Sequence, residues 1–151
     1  MARNRRTVLA TMMILVISAC APARPRETWT HDRELLTRAL TSFNEANALS
    51  QPPEGVTTFR MSQENEDKFR RLLSDGLAAG DSVSDAYLDS LDPAMRHYFR
   101  DFYMKGQHMY QEGMLAQSVS QQAASDRLIA TWYNDFWRTH GPTITDKVLA
   151  E

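Results

Sequence analysis

The stretch PAMRHYFRDFYMKGQHMYQEGMLAQSVSQQAASDRLIATWYNDFWRTH, residues 93–140, decides the fold. It runs 48 residues with no proline after Pro93, and its apolar residues recur at helical spacing. Turning about 100° per residue from Met95, the side chains of Tyr98, Phe99, Phe102, Tyr103, Gly106, Met109, Tyr110 and Gly113 fall within about 80° of one direction. Downstream, Leu128, Ile129, Trp132, Tyr133 and Phe136 centre roughly 120° away on the same wheel, too far for drift in a straight helix. An unbroken helix of this length would also measure about 70 Å, longer than a domain of this size. The phase jump therefore predicts a break, placed in the polar stretch Gln117–Gln122.

The flanking sequence continues the pattern. Thr30 is positioned to cap a helix reaching about Ala48, with Leu35, Leu36, Ala39, Leu40 and Phe43 on one stripe. Gln51-Pro52-Pro53-Glu54-Gly55 ends it, and Val56–Met61 is at most a lone strand-like segment. Ser62 caps a second helix to about Ala79, with Gly80 as its C-terminal cap. Ser82 opens a brief third helix, and Asp92-Pro93 restarts the chain with Asp as N-cap and Pro in the first turn. Gly141-Pro142 is expected to stop the long helical region, leaving Thr143 or Thr145 to cap a short terminal helix. No repeat of 20 to 50 residues is present. The expectation is an all-α protein, a compact bundle of four to five helices.

The amino end carries a different message. Arg3, Arg5 and Arg6 precede an apolar run, Val8–Ala19, too short to cross a bilayer core, which needs about 20 residues. A basic flank, an apolar centre and a small residue at the junction form the layout of a secretory signal. Ile17-Ser18-Ala19-Cys20 resembles the lipobox of bacterial lipoproteins, a resemblance confined to the first twenty residues. It implies cleavage before Cys20 and lipidation of that thiol. Ala21, where Asp would signal retention in the inner membrane, implies the periplasmic face of the outer membrane in a Gram-negative cell. The organisation expected is a signal peptide over 1–19, a lipidated cysteine and tether over 20–30, rich in proline at Pro22 and Pro25, and a helical periplasmic domain over 31–151. Two or three acyl chains hold a protein on the bilayer essentially permanently.

Charge bounds the partners. Removing Arg3, Arg5 and Arg6 with the signal takes the formal charge from −2 to −5, which argues against a nucleic-acid partner, since phosphate recognition needs a basic stripe. Cys20 is the one cysteine, so no intramolecular disulfide supports the fold.

His97, Asp101, Met104, His108 and Glu112 share one helical face and include metal-ligand types. That face lies opposite the apolar one, and a single row of ligands does not surround an ion, so it reads as solvated and no metal or cofactor is expected beyond the lipid. No Gly-x-Ser-x-Gly elbow, phosphate-binding glycine loop or His-Glu-x-x-His motif occurs, and no catalytic residue is assigned. Gly106 and Gly113, seven apart beside Tyr110, point to the close approach of another backbone, from the bundle or from a partner. Ten of the fourteen aromatic residues lie between Tyr87 and Trp137, and Trp132, Tyr133, Phe136 and Trp137 cannot all face one core. The remnant, with Trp132, Tyr133 and Trp137, is the expected contact surface. The functional expectation is a non-enzymatic outer-membrane lipoprotein acting through contacts with an envelope or secretion-complex protein. The alternatives are an immunity or entry-exclusion lipoprotein and a carrier of an apolar ligand.

Overall fold

Alternating apolar stripes and capping residues produce two antiparallel helical hairpins with a short helix wedged between them at one end. The computed structural model describes residues 26–52, 55 and 60–150, with the side chains of 26–28 excepted. Helix α1 spans Arg26–Ser50 and α2 spans Gln63–Ser82. Phe43 of α1 seats on Gly76 of α2, where an added Cβ would stand 2.7 Å from the ring. Helix α3, Asp85–Leu91, turns the chain toward α4, Met95–Tyr98, which runs through a π-helical segment, Phe99–Met104, into α5, Lys105–Leu115. After a break, α6, Val119–Thr131, passes through a second π-helical segment, Trp132–Trp137, into α7, Arg138–Ala150. Joined where they are continuous, these make five helical rods and, among the described residues, no strand. The protein is an all-α bundle.

The core gathers between the hairpins. Leu36, Tyr87, Leu88, Met95, Phe99, Phe136 and Ile144 are fully buried there, drawing on α1, α3, α4, both π-helical segments and α7. Burial of large apolar side chains at about 1.5–3 kcal/mol each is what holds a fold with no disulfide together.

The break falls where the phase of the stripes placed it. Gln117 has φ 52°, the left-handed conformation, and closes α5. The Ser118 amide donates to Gly113 O at 2.7 Å and the Gln117 amide to Met114 O at 3.2 Å, the paired bonds of a Schellman motif with glutamine where glycine is usual. Ser118 then caps α6, its hydroxyl accepting from the Gln121 amide. The start of α4 departs from the sequence reading: the helix begins at Met95 with Ala94 as N-cap and no side-chain cap, and Pro93 lies in the turn before it, where Asp92 Oδ1 accepts from the Ala94 amide at 2.8 Å.

Five further expectations need correction. Helix α1 begins at Arg26, so Thr30 lies inside it and residues 26–30 are helix where tether was expected. No breaker follows Pro25, and Trp29 packs edge-on against Tyr87 at 6.1 Å, tying the first turns to the core. Gly80 does not cap α2 but lies within it, buried, with the Met104 thioether so close that a Cβ would meet the sulfur. The cap of α3 is Ser84 and not Ser82, whose hydroxyl donates instead to Ala78 O. Gly141-Pro142 does not stop the helix: α7 runs through Pro142. Here Gly141 is a seat for Trp137, whose indole would lie 2.8 Å from an added Cβ. The proline stands just past a π-helical segment, where the regular i−4 ladder is already disturbed.

The fifth correction concerns Met104, expected on the solvated face and found buried at 2 % exposure. A π-helical segment spans Phe99–Met104, and its wider turn rotates later residues away from their α-helical phase, so Tyr103 and Met104 both point inward. Cys20 and the signal lie outside the described residues, as do positions 56–59 of the strand-like segment.

Candidate functional site: an aromatic groove

The two hairpins are closed against each other at one end and part at the other. At the closed end α3 is clamped by polar groups. Asp32 of α1, 6 % exposed, accepts from the Ser84 amide at 2.6 Å and from the Ser84 hydroxyl at 2.7 Å. Arg100 donates to Gly80 O at 2.8 Å, to Val83 O, and to Asp85 Oδ1 at 3.0 Å, covering carbonyls left open where α2 ends. Lys147 of α7 donates to Leu91 O at 2.5 Å, and His140 pairs with Asp92 at 3.0 Å while stacking on Phe136.

At the opposite end a groove of about 570 Å³ opens between the C-terminal half of α1, the N-terminal half of α2 and the α5–α6 hairpin. Phe43, Phe69, Tyr103, Tyr110, Trp132, Tyr133 and Trp137 line it, with Leu40, Leu73 and Ile129 among them. The rings form a connected wall: Phe43 meets Tyr103 edge-on at 5.5 Å, Tyr103 lies 5.0 Å from Trp132, and Trp132 stacks on Trp137 at 5.2 Å. Polar groups enter as Asn44, Asn47 and Ser50 from α1, Gln107 from α5 and Asp126 from α6. Burial pushes the Tyr103 hydroxyl far above the usual tyrosine range, against a smaller opposing effect of its hydrogen bond with Gln107. Burial also raises Tyr110, helped by the Asp126 carboxylate.

The residues singled out in the sequence divide between wall and scaffold. Tyr110, Trp132, Tyr133 and Trp137 all line the groove; Trp132 is buried, Trp137 half-buried and Tyr133 53 % exposed. Gly106 and Gly113 do not line it. They face α6, where a Cβ on Gly106 would stand 2.8 Å from Ile129 Cγ1 and one on Gly113 3.1 Å from the Gln122 amide nitrogen. The Ser125 hydroxyl, fully buried, donates to Gly106 O at 2.8 Å and locks the same contact. The glycines thus bring α6 close enough for Ile129 to reach the groove wall.

Sequence reasoning missed the α1 side and Asp126. Leu40 and Phe43 were read as core, and Asn44, Asn47 and Ser50 carry no local signal, since only pairing of α1 with α5 and α6 across the groove gives them a role. The histidines form acid pairs away from the groove: His97 with Asp101 at 2.6 Å and His108 with Asp81 at 3.0 Å. Among the described residues no group of three histidine, cysteine or acidic side chains converges as a metal site would require, and no helix is long and apolar enough to cross a membrane. Comparison of the chain with known protein families, curated proteins and solved structures finds no match.

Proposed function

We propose that the chain is an exported, lipid-anchored and non-enzymatic protein of the bacterial envelope, lipidated at Cys20 and held at the outer membrane. In this reading the helical domain binds a protein partner through the aromatic groove. The observation that carries the proposal is the wall of seven aromatic residues around an open groove, with Tyr133 53 % exposed. Aromatic side chains left accessible beside a packed core are the residue types that dominate protein interfaces. Residues 1–20 supply the tether, since their lipobox-like pattern resembles that of bacterial lipoproteins. A partner that is an incoming toxin or conjugation apparatus would make the protein an immunity or exclusion factor.

The test is cross-linking in cells of the native host, followed by purification of the lipidated protein. A stoichiometric envelope-protein partner is expected with the wild type and lost when Tyr133→Ala and Trp137→Ala are combined, while circular dichroism shows the helical fold retained. Labelled palmitate is expected to enter the wild type and not Cys20→Ser. Equal labelling of both would remove the anchor from the proposal.

A second reading rests on the groove's size. At about 570 Å³ it falls within the range of pockets that hold small molecules, which supports a carrier of an apolar ligand. Co-purification of a small apolar molecule in place of a protein partner would favour it.

A further inference from the structure

The charge of the groove is one-sided. Among its described lining residues Asp126 is the single carboxylate, and none is lysine, arginine or histidine. Asp126 is exposed and makes no ion pair among the described residues. Its charge is felt inside the groove, since it helps raise the Tyr110 hydroxyl above its ordinary range, after burial. Tyr133, 53 % exposed, and the half-buried Trp137 and Tyr110 keep ring surface open to the groove, whereas Trp132 is covered by Tyr103, Phe136 and Trp137. The one cation placed over a ring among the described residues, Arg100 above Phe99 at 5.7 Å, belongs to the closed end. Tryptophan and tyrosine faces carry negative electrostatic potential, strongest for tryptophan, and attract ammonium and guanidinium groups. An aromatic wall with one uncompensated carboxylate is complementary to a cation on an apolar body.

The rim says what bears the cation. Asn44 and Asn47 stand exposed on α1 beside the groove, and each amide offers both donors and an acceptor, the complement of a peptide backbone. We infer that the groove receives an arginine or lysine side chain carried on an apolar segment of the partner protein. This rests on the protein-contact reading above and names the chemistry of the partner. The cationic head lies between the Asp126 carboxylate and the accessible rings of Tyr133 and Trp137, the stem and neighbouring apolar residues cover the rest of the open ring surface, and the segment's backbone runs along Asn44 and Asn47.

The full lipidated chain on neutral phosphatidylcholine vesicles is titrated, with tryptophan fluorescence as readout, using the peptide Leu-Arg-Leu-Arg-Leu and its analogue with citrulline at both arginines. The wild type is expected to bind the arginine peptide roughly tenfold more tightly than the uncharged one. Asp126→Asn is expected to shrink that ratio to about threefold, the remainder coming from the rings. Because Asp126 is exposed and unpaired, the variant keeps the wild-type circular dichroism spectrum. Equal binding of the two peptides by the wild type, or an undiminished ratio in Asp126→Asn, overturns the inference. So does tetramethylammonium binding as tightly as the arginine peptide, which would make the occupant a small cation. In cells, a partner lost with the Tyr133 and Trp137 double variant and fully retained by Asp126→Asn would overturn the cation chemistry while leaving the protein-contact reading intact. Capture of no partner by the wild type would overturn the protein-contact reading itself.

Discussion

The two ends of the bundle are built from the same four long rods and finish differently. At the closed end every described polar group of the clamp finds a partner within the chain: Asp32 holds Ser84, and Arg100 holds Gly80, Val83 and Asp85. At the open end Asp126 holds nothing among the described residues and Tyr133 stands half in solvent. A small domain gains nothing for its own stability from an unpaired carboxylate beside a wall of rings. The contrast teaches that the closed end serves folding, while the groove proposed for binding is left without an internal partner for its carboxylate among the described residues.

The largest expected effect would break the scaffold of the open end. Gly106→Leu places a branched side chain where a single Cβ already stands 2.8 Å from Ile129 Cγ1 and 3.4 Å from the Ile129 amide nitrogen. Separation of α5 from α6 is expected to cost about 3 kcal/mol or more, read as a lower urea midpoint or as failure to fold. Next comes the closed end. Asp32→Ala leaves the Ser84 amide without its acceptor in a nearly buried site and removes the brace between α1 and α3. A loss of about 2–3 kcal/mol in chemical unfolding is expected, as for removal of one charged partner from a buried hydrogen bond.

Alkali sharpens the comparison from the groove side. The Tyr103 hydroxyl is raised by burial, so the folded protein keeps a proton that the unfolded chain releases near pH 10. Its contribution to stability is therefore complete below about pH 10 and lost above it, at about 1.4 kcal/mol per pH unit until the raised folded value is reached. Urea unfolding between pH 9 and 12 checks this, and Tyr103→Phe is expected to flatten that part of the profile. The smallest effect is Asp126→Asn, expected to change stability by less than about 0.5 kcal/mol, because an exposed and unpaired surface carboxylate holds no part of the fold. A larger loss would mean that the open end, like the closed one, serves stability.

How much of this was legible in the sequence varies with the range of the interaction. The phase jump between Tyr110 and Leu128 pointed to the break at Gln117, because the change of buried face is too large for drift in a regular α-helix and falls across a polar stretch. The Ser62 cap was legible because it is settled within a few residues, whereas the helix after Asp92-Pro93 starts two residues later than the local signal implied. Pro142 and Met104 were misread because both assignments assumed a regular α-helix. The two π-helical segments, Phe99–Met104 and Trp132–Trp137, change the residue count per turn, and aromatic packing rather than local propensity accompanies them.

The candidate site shows the same division. By itself the sequence determined that the chain is helical, that its aromatic residues exceed what one face can bury, and that Gly106 and Gly113 mark a close helix contact, since stripes, spacing and missing side chains are properties of one segment. Only the tertiary structure decided that those glycines meet α6, that Trp137 lies on Gly141, and that Phe43, Asn44 and Asn47 of α1 share a groove with Asp126 some eighty residues away. The pairing of two hairpins is a balance of burial against geometry over the whole chain. Whether an aromatic ring becomes core or wall depends on which neighbour arrives to cover it.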